Sequence, residues 1–215
     1  MTQLDGTEAM NAVTRRVGSG VFRAGEARTV TIARTYDAPL EDVWDACTNP
    51  DRIPRWFLPV SGELREGGRY QVQGNAGGLI EQCEPPRSFT ATWEYGGQVS
   101  WIELRVSEAA GGGTRLELEH IAHVNDHWAQ FGPGAVGVGW DLALLGLTRH
   151  LRTGAAVDPQ TATTFPASEE GRRFIEESSR GWCEAAIAAG ADAAEATAAA
   201  ERTSAFFTGA GPSAS

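Results

Sequence analysis

The chain has only three cysteines among its 215 residues. Cys47, Cys83 and Cys183 lie far apart and form no Cys-x-x-Cys pair, so neither a disulfide framework nor a thiolate zinc site is expected. Such usage fits a reducing compartment, and a cytoplasmic location is the expectation. Positive charge is also scarce: 18 Lys and Arg stand against 28 Asp and Glu, for a net charge of −10. Nucleic acid and anionic membrane surfaces both call for clustered basic residues, so neither is an expected partner. No apolar run approaches the ~18 residues a spanning helix needs, so membrane insertion is not expected. The N-terminal residues lack the basic-then-apolar pattern of a secretory signal. Also missing is any Ser–His–Asp arrangement in a recognisable motif. Gly96-Gly97 and Gly111-Gly112-Gly113 read as hairpin turns rather than phosphate loops, because no helix follows either of them.

What the sequence does carry is a run of strands between helices. Residues 28–36 alternate with β-branched residues and predict a strand with Val30, Ile32, Arg34 and Tyr36 on one face. Asp37-Ala38-Pro39 ends it and opens a short helix, with Leu40, Val43, Trp44 and Cys47 on its apolar side. Asn49-Pro50 breaks that helix, and a second short one is expected over 51–57. The pattern then turns to period two. Strands are predicted at 62–66 and 69–73 around Gly67-Gly68, at 78–84, 88–95, 99–107 and 114–122. In the last pair, Ile102, Leu104 and Val106 share a face, as do Leu116, Leu118 and His120, while Glu103, Arg105, Glu117 and Glu119 alternate with them. His120 is therefore expected to point inward, and Trp101 outward, under cover of the C-terminal helices.

A long helix is predicted over 132–151. Pro133 suits its first turn, and Val136, Trp140, Leu144, Leu147 and Leu151 recur along one face. Gly137, Gly139 and Gly146 lower its propensity, which suits close packing or space left for something else. Residues 1–27 read as an N-terminal arm, with a short helix or strand around 9–16, and 28–152 as the main domain. A linker follows over 153–167, then a helical extension over 168–208, rich in alanine from Ala185 to Ala200. Residues 209–215 read as a disordered end.

Specific residues add a resemblance. Arg34-Thr-Tyr-Asp-Ala-Pro39, Val43-Trp44-Asp45-Ala46, Asn49-Pro50-Asp51 and Arg55-Trp56-Phe57 resemble the opening of the SRPBCC superfamily. Gly67-Gly68-Arg69-Tyr70, Glu84-Pro85-Pro86-Arg87, Thr92-Trp93 and Gly139-Trp140 continue it in order. Within that START-like superfamily the chain is similar to proteins resembling the C-terminal domain of the activator of the 90-kDa heat-shock protein ATPase. The extension looks similar to those on actinobacterial members. The resemblance implies an α+β helix-grip fold, in which a curved antiparallel sheet wraps a long C-terminal helix around an apolar cavity. It implies binding of lipids, hormones or polyketides, with cyclisation in a few members. One fold hosts many activities, so function has to rest on the site.

The expected function is binding of a small apolar or aromatic ligand in that cavity, in a stress-related setting, with no cofactor. Trp56, Tyr70, Trp93, His120, Gly137, Trp140 and Leu144 are the expected ligand-binding residues. His120 and Glu81 form a candidate acid–base pair if both face inward. The strand around Glu81 does not decide its facing; if inward, Arg34 or His120 would have to partner it. His120, His123 and His127 with Asp126 invite a metal reading, but their spacing fits no tetrahedral pattern, and no metal is expected. Two alternatives stay open. One is a cyclase/aromatase-like or hydrolase-like enzyme using the same cavity. The other is an interaction protein, chaperone-linked or homodimeric through the C-terminal helices.

Overall fold

A computed structural model describes residues 12–209. Eight antiparallel strands form one sheet: β1 (Val13–Phe22), β2 (Gly25–Tyr36), β3 (Val60–Gly62), β4 (Arg69–Val72), β5 (Gly77–Glu84), β6 (Ser88–Tyr95), β7 (Gln98–Glu108) and β8 (Thr114–His123). Their spatial order is β1-β2-β8-β7-β6-β5-β4-β3. Helix α1 (Leu40–Thr48) and a 3-10 turn (Ile53–Arg55) sit between β2 and β3. After β8 come α2 (Asp126–Phe131), the long α3 (Gly134–Thr153), α4 (Pro159–Thr164), a 3-10 turn (Phe165–Ala167), α5 (Glu169–Ala188) and α6 (Ala193–Thr208). This is the helix-grip α+β fold. Among the described residues, no helix is long and apolar enough to cross a membrane.

The inner face of the sheet follows the alternation in its strands. Leu104 and Val106 of β7, Leu116 and Leu118 of β8, and Val30, Ile32 and Tyr36 of β2 form one core cluster with α1 and α3. A second cluster sits on β4–β7, with Tyr70, Val72, Ile80, Ala91 and Ile102 at its centre. Cys83, Phe89 and Trp140 pack against both.

The structure departs from the sequence reading at both ends. Residues 13–22, expected as part of a loose arm, form β1, paired with β2 along its whole length. Their hairpin turns at Arg23-Ala24, with φ of 45° and 64°. Two-residue turns with positive φ normally announce themselves through Asn or Gly, and here neither is present. The expectation for residues 9–16 falls partly outside the described residues, as does most of the expected disordered end. The expected linker contains α4, capped where Asp158 accepts the Thr161 backbone N–H at 2.9 Å and started by Pro159 at its first position.

Helix α3 is buried on two sides, not one. Trp140 and Leu144 turn toward the sheet, whereas Gly137 and Asp141 turn toward α5. The extension packs on its own domain: Phe174, Ile175 and Trp182 of α5 and Ala196 and Ala199 of α6 are all buried. Asp141 binds it in place. Its Oδ2 accepts from Ser178 Oγ at 2.6 Å, Trp182 Nε1 at 2.8 Å and Arg15 Nε at 3.1 Å, and its Oδ1 accepts from Arg15 at 2.7 Å. One buried carboxylate thus joins β1, α3 and α5, with every donor directed at it.

Candidate functional site

Three elements bring aromatic side chains together over the second core cluster. The chain leaving the 3-10 turn supplies Phe57, β6 supplies Trp93, and α3 supplies Trp140. Phe57 stacks on Trp140, centroids 6.4 Å apart, and Trp140 meets Trp93 at 5.1 Å. All three rings are only partly buried, whereas Tyr70, Ile80, Ala91 and Ile102 beneath them are closed off. Leu64 and Val60 complete the rim.

His120 lies under this cluster and fixes it. An indole N–H can only donate, so Trp140 Nε1 donates to His120 Nδ1 at 3.2 Å. The proton of the neutral imidazole then sits on Nε2, which donates to Ser100 Oγ at 2.9 Å. Ser100 Oγ in turn donates to the Trp93 carbonyl at 3.0 Å. The relay runs from one tryptophan of the cluster to the backbone of the other and leaves no nitrogen of His120 without a partner. Burial pushes the His120 pKa down to about 4, because a charged ring would be desolvated there. At neutral pH the ring is an uncharged positioning group.

The expected residues divide accordingly. Trp93, His120 and Trp140 meet as one unit, and Tyr70 forms the floor, its hydroxyl donating to the Thr92 carbonyl at 2.7 Å. Burial raises the Tyr70 pKa, so it stays a neutral phenol. Trp56 takes a bracing position instead. Its indole N–H donates to the Ala46 carbonyl at 2.8 Å, and its ring reaches the cluster only through Phe57 at 5.6 Å. Leu144 is a closed core residue between α3 and the sheet. Gly137 does not border the cluster at all: a Cβ there would run into the indole of Trp182 on α5. Its role is close helix packing.

The acid–base pair is not assembled. Glu81 lies on the outer face of the sheet, where its carboxylate bridges Arg23 of the β1–β2 turn at 2.6 Å. The cause is a bulge between Ile80 and Gln82, which breaks the alternation and sends Ile80 and Cys83 inward with Glu81 left outside. Arg23 also lies over the Trp101 ring at 5.0 Å, and Phe22 and His123 cover its other sides. Trp101 does point outward as expected, but the β1–β2 turn covers it, not the C-terminal helices.

The other histidines of that stretch go separate ways. His123 Nε2 meets the Phe22 carbonyl at 2.9 Å, and His127 packs on Phe131 at 4.9 Å. Among the described residues, no group of three His, Cys, Asp or Glu side chains is gathered as metal ligands would be. Two functional placements escaped the sequence reading. Phe57 had a legible signal, since it follows Trp56 at the end of a predicted helical turn. Ser100 had one too, since it shares the alternation of Ile102 and Leu104.

Comparison with known proteins agrees with this architecture. The family described as Activator of Hsp90 ATPase homolog 1-like protein matches residues 37–152, more than half of the chain. The crystal structure of CalU16 from Micromonospora echinospora is 40% identical, covers 82% of this chain and 99% of its own, and superposes with a TM-score of 0.67. Its solution structure gives 38% identity, 88% and 100% coverage and a TM-score of 0.70. DynU16, a protein of the dynemicin biosynthetic locus, shares the fold at 22% identity and a TM-score of 0.52, over 60% of this chain and 48% of its own. No curated protein matches the chain. The sheet wrapped on α3, the matched span and the likeness to CalU16 together place the chain in the Activator of Hsp90 ATPase homolog 1-like family of the SRPBCC superfamily.

Proposed function

We propose that the chain binds a small, flat, largely apolar molecule between α3 and the inner face of β4–β7, stacked on Phe57, Trp93 and Trp140. One observation carries the reading: three partly exposed aromatic rings from three separate elements touch over a closed apolar floor. Trp140 Nε1, His120, Ser100 Oγ and the Trp93 carbonyl are hydrogen-bonded to one another. A site of this kind offers area and ring stacking rather than charge. It also favours binding over acid–base catalysis, since His120 is neutral with both nitrogens occupied and Glu81 is on the other face.

A fluorescence titration with a hydroxylated anthraquinone tests it. The parent protein should show saturable tryptophan quenching. Phe57→Ala and Trp93→Ala should each weaken binding about tenfold or more, as expected for losing a stacked ring and its buried area. Equal affinity in both variants and the parent would overturn the reading.

A further inference from the structure

A cleft of about 500 Å³ lies at the β1 edge of the sheet, away from the aromatic cluster and sharing no residue with it. Its walls come from β1 and β2, from the α2–α3 junction, and from the α5–α6 turn. Val17, Arg28, Trp128, Pro133, Ala189 and Glu195 represent them. Most of these segments fall outside the span 37–152 that matches the family, so the extension and the β1–β2 hairpin build this space. The volume is in the range of small-molecule sites.

Its chemistry is uneven in an informative way. Ala186 of α5, Ala196 and Ala199 of α6, and Ala189, Gly190 and Ala191 of the turn between them form one wall, and the small side chains keep it open. Trp128 supplies an aromatic surface. The partly buried Arg28 is the cationic residue of the lining. Its register partners, Ser19 on β1 and Ala122 on β8, carry no charge. Among the described residues, no carboxylate lies within ion-pair distance of it, and Glu195 of the same lining forms no bridge to it. A guanidinium beside an apolar cleft, with no counter-charge among the described residues, is suited to an anion attached to an apolar body.

We propose that this cleft is a second binding site, for a small molecule with an apolar body and one anionic group, the anion on Arg28 and the body between Trp128 and the alanines of α5 and α6. It stands independently of the aromatic-cluster reading.

The test uses the full chain and two probes with the same kind of body. Anilinonaphthalene sulfonate carries the anion, and N-phenylnaphthylamine lacks it. Affinities come from probe fluorescence, and the indole N–H resonance of Trp128 reports the location. Arg28→Gln should weaken the sulfonate about tenfold, the scale of one charge-assisted hydrogen bond, and leave the uncharged probe unchanged. Arg28→Lys should retain most of the affinity. Glu195→Gln, which removes a like charge, should tighten the sulfonate two- to threefold, in the opposite sense to Arg28→Gln. Ala189→Trp, at an exposed position, should block both probes without touching the core. Circular dichroism and melting curves check that each variant is folded. The proposal is overturned if the sulfonate does not bind, or if it binds Arg28→Gln and Ala189→Trp as tightly as the parent. It is equally overturned if only Trp93→Ala weakens it, which would assign the probe to the aromatic cluster.

Discussion

Trp182 and Asp141 are hydrogen-bonded across the junction of α5 and α3, indole N–H to carboxylate at 2.8 Å, with both residues almost fully removed from solvent. The extension is therefore part of the same folded unit as the grip. Asp141→Ala would leave the Arg15 guanidinium, the Ser178 hydroxyl and the Trp182 indole without their shared acceptor. A loss of about 3–5 kcal/mol is expected in urea denaturation. A loss below about 1 kcal/mol would show that the junction does not depend on this carboxylate.

Gly137 makes a prediction of sign. Alanine is better than glycine in a helix by about 1 kcal/mol, so Gly137→Ala would stabilise an unobstructed position. Here the added methyl meets the Trp182 indole, so a net destabilisation of about 1–3 kcal/mol is expected, the usual range for overpacking. Gly139 of the same helix faces open space, and Gly139→Ala should stabilise or be neutral. The melting temperature of Gly137→Ala should fall, while that of Gly139→Ala should hold or rise.

His120 sets a pH window. Its folded pKa of about 4 lies below the ordinary histidine value near 6.5, so the unfolded chain takes up the proton first. The stability held by the neutral ring is complete above about pH 6.5 and is lost as pH falls toward 4, amounting to about 3 kcal/mol. His120→Gln cannot titrate. Chemical denaturation across this range should show the parent losing more stability than the variant, by about that amount; parallel profiles would contradict a buried neutral imidazole.

Glu81 serves as the control. Its bridge to Arg23 sits on a partly exposed face, with side-chain exposures of 23% and 49%, so Glu81→Gln should cost no more than about 1 kcal/mol. Anthraquinone affinity should not change. A marked loss of binding in this variant would bring the carboxylate back to the site.

Legibility in the sequence followed local pattern. The alternation of Leu116, Leu118 and His120 gave the inward facing of the histidine, and Gly67-Gly68, Gly96-Gly97 and Gly111-Gly112-Gly113 marked the hairpins joining β3–β4, β6–β7 and β7–β8. Where the pattern broke, so did the reading. The bulge at Ile80/Gln82 hid the facing of Glu81, and the turn at Arg23-Ala24 hid β1. Asp141 was invisible for another reason. A lone acid on a helix reads as a solvated residue, and only the arrival of α5 and β1 turns it into a buried acceptor. Gly137 likewise reads as room for a ligand from the sequence alone, and in the fold the Trp182 indole fills that room.

Stacking of a flat apolar ligand on Phe57, Trp93 and Trp140 can be read from the indole N–H spectrum of the full chain under anthraquinone titration. Seven tryptophans give seven reporters. The resonances of Trp93 and Trp140 should shift with saturation, while Trp182, tied to Asp141, and Trp128, in the β1-edge cleft, should stay in place. Shifts at Trp128 with Trp93 and Trp140 unmoved would rule that stacking out.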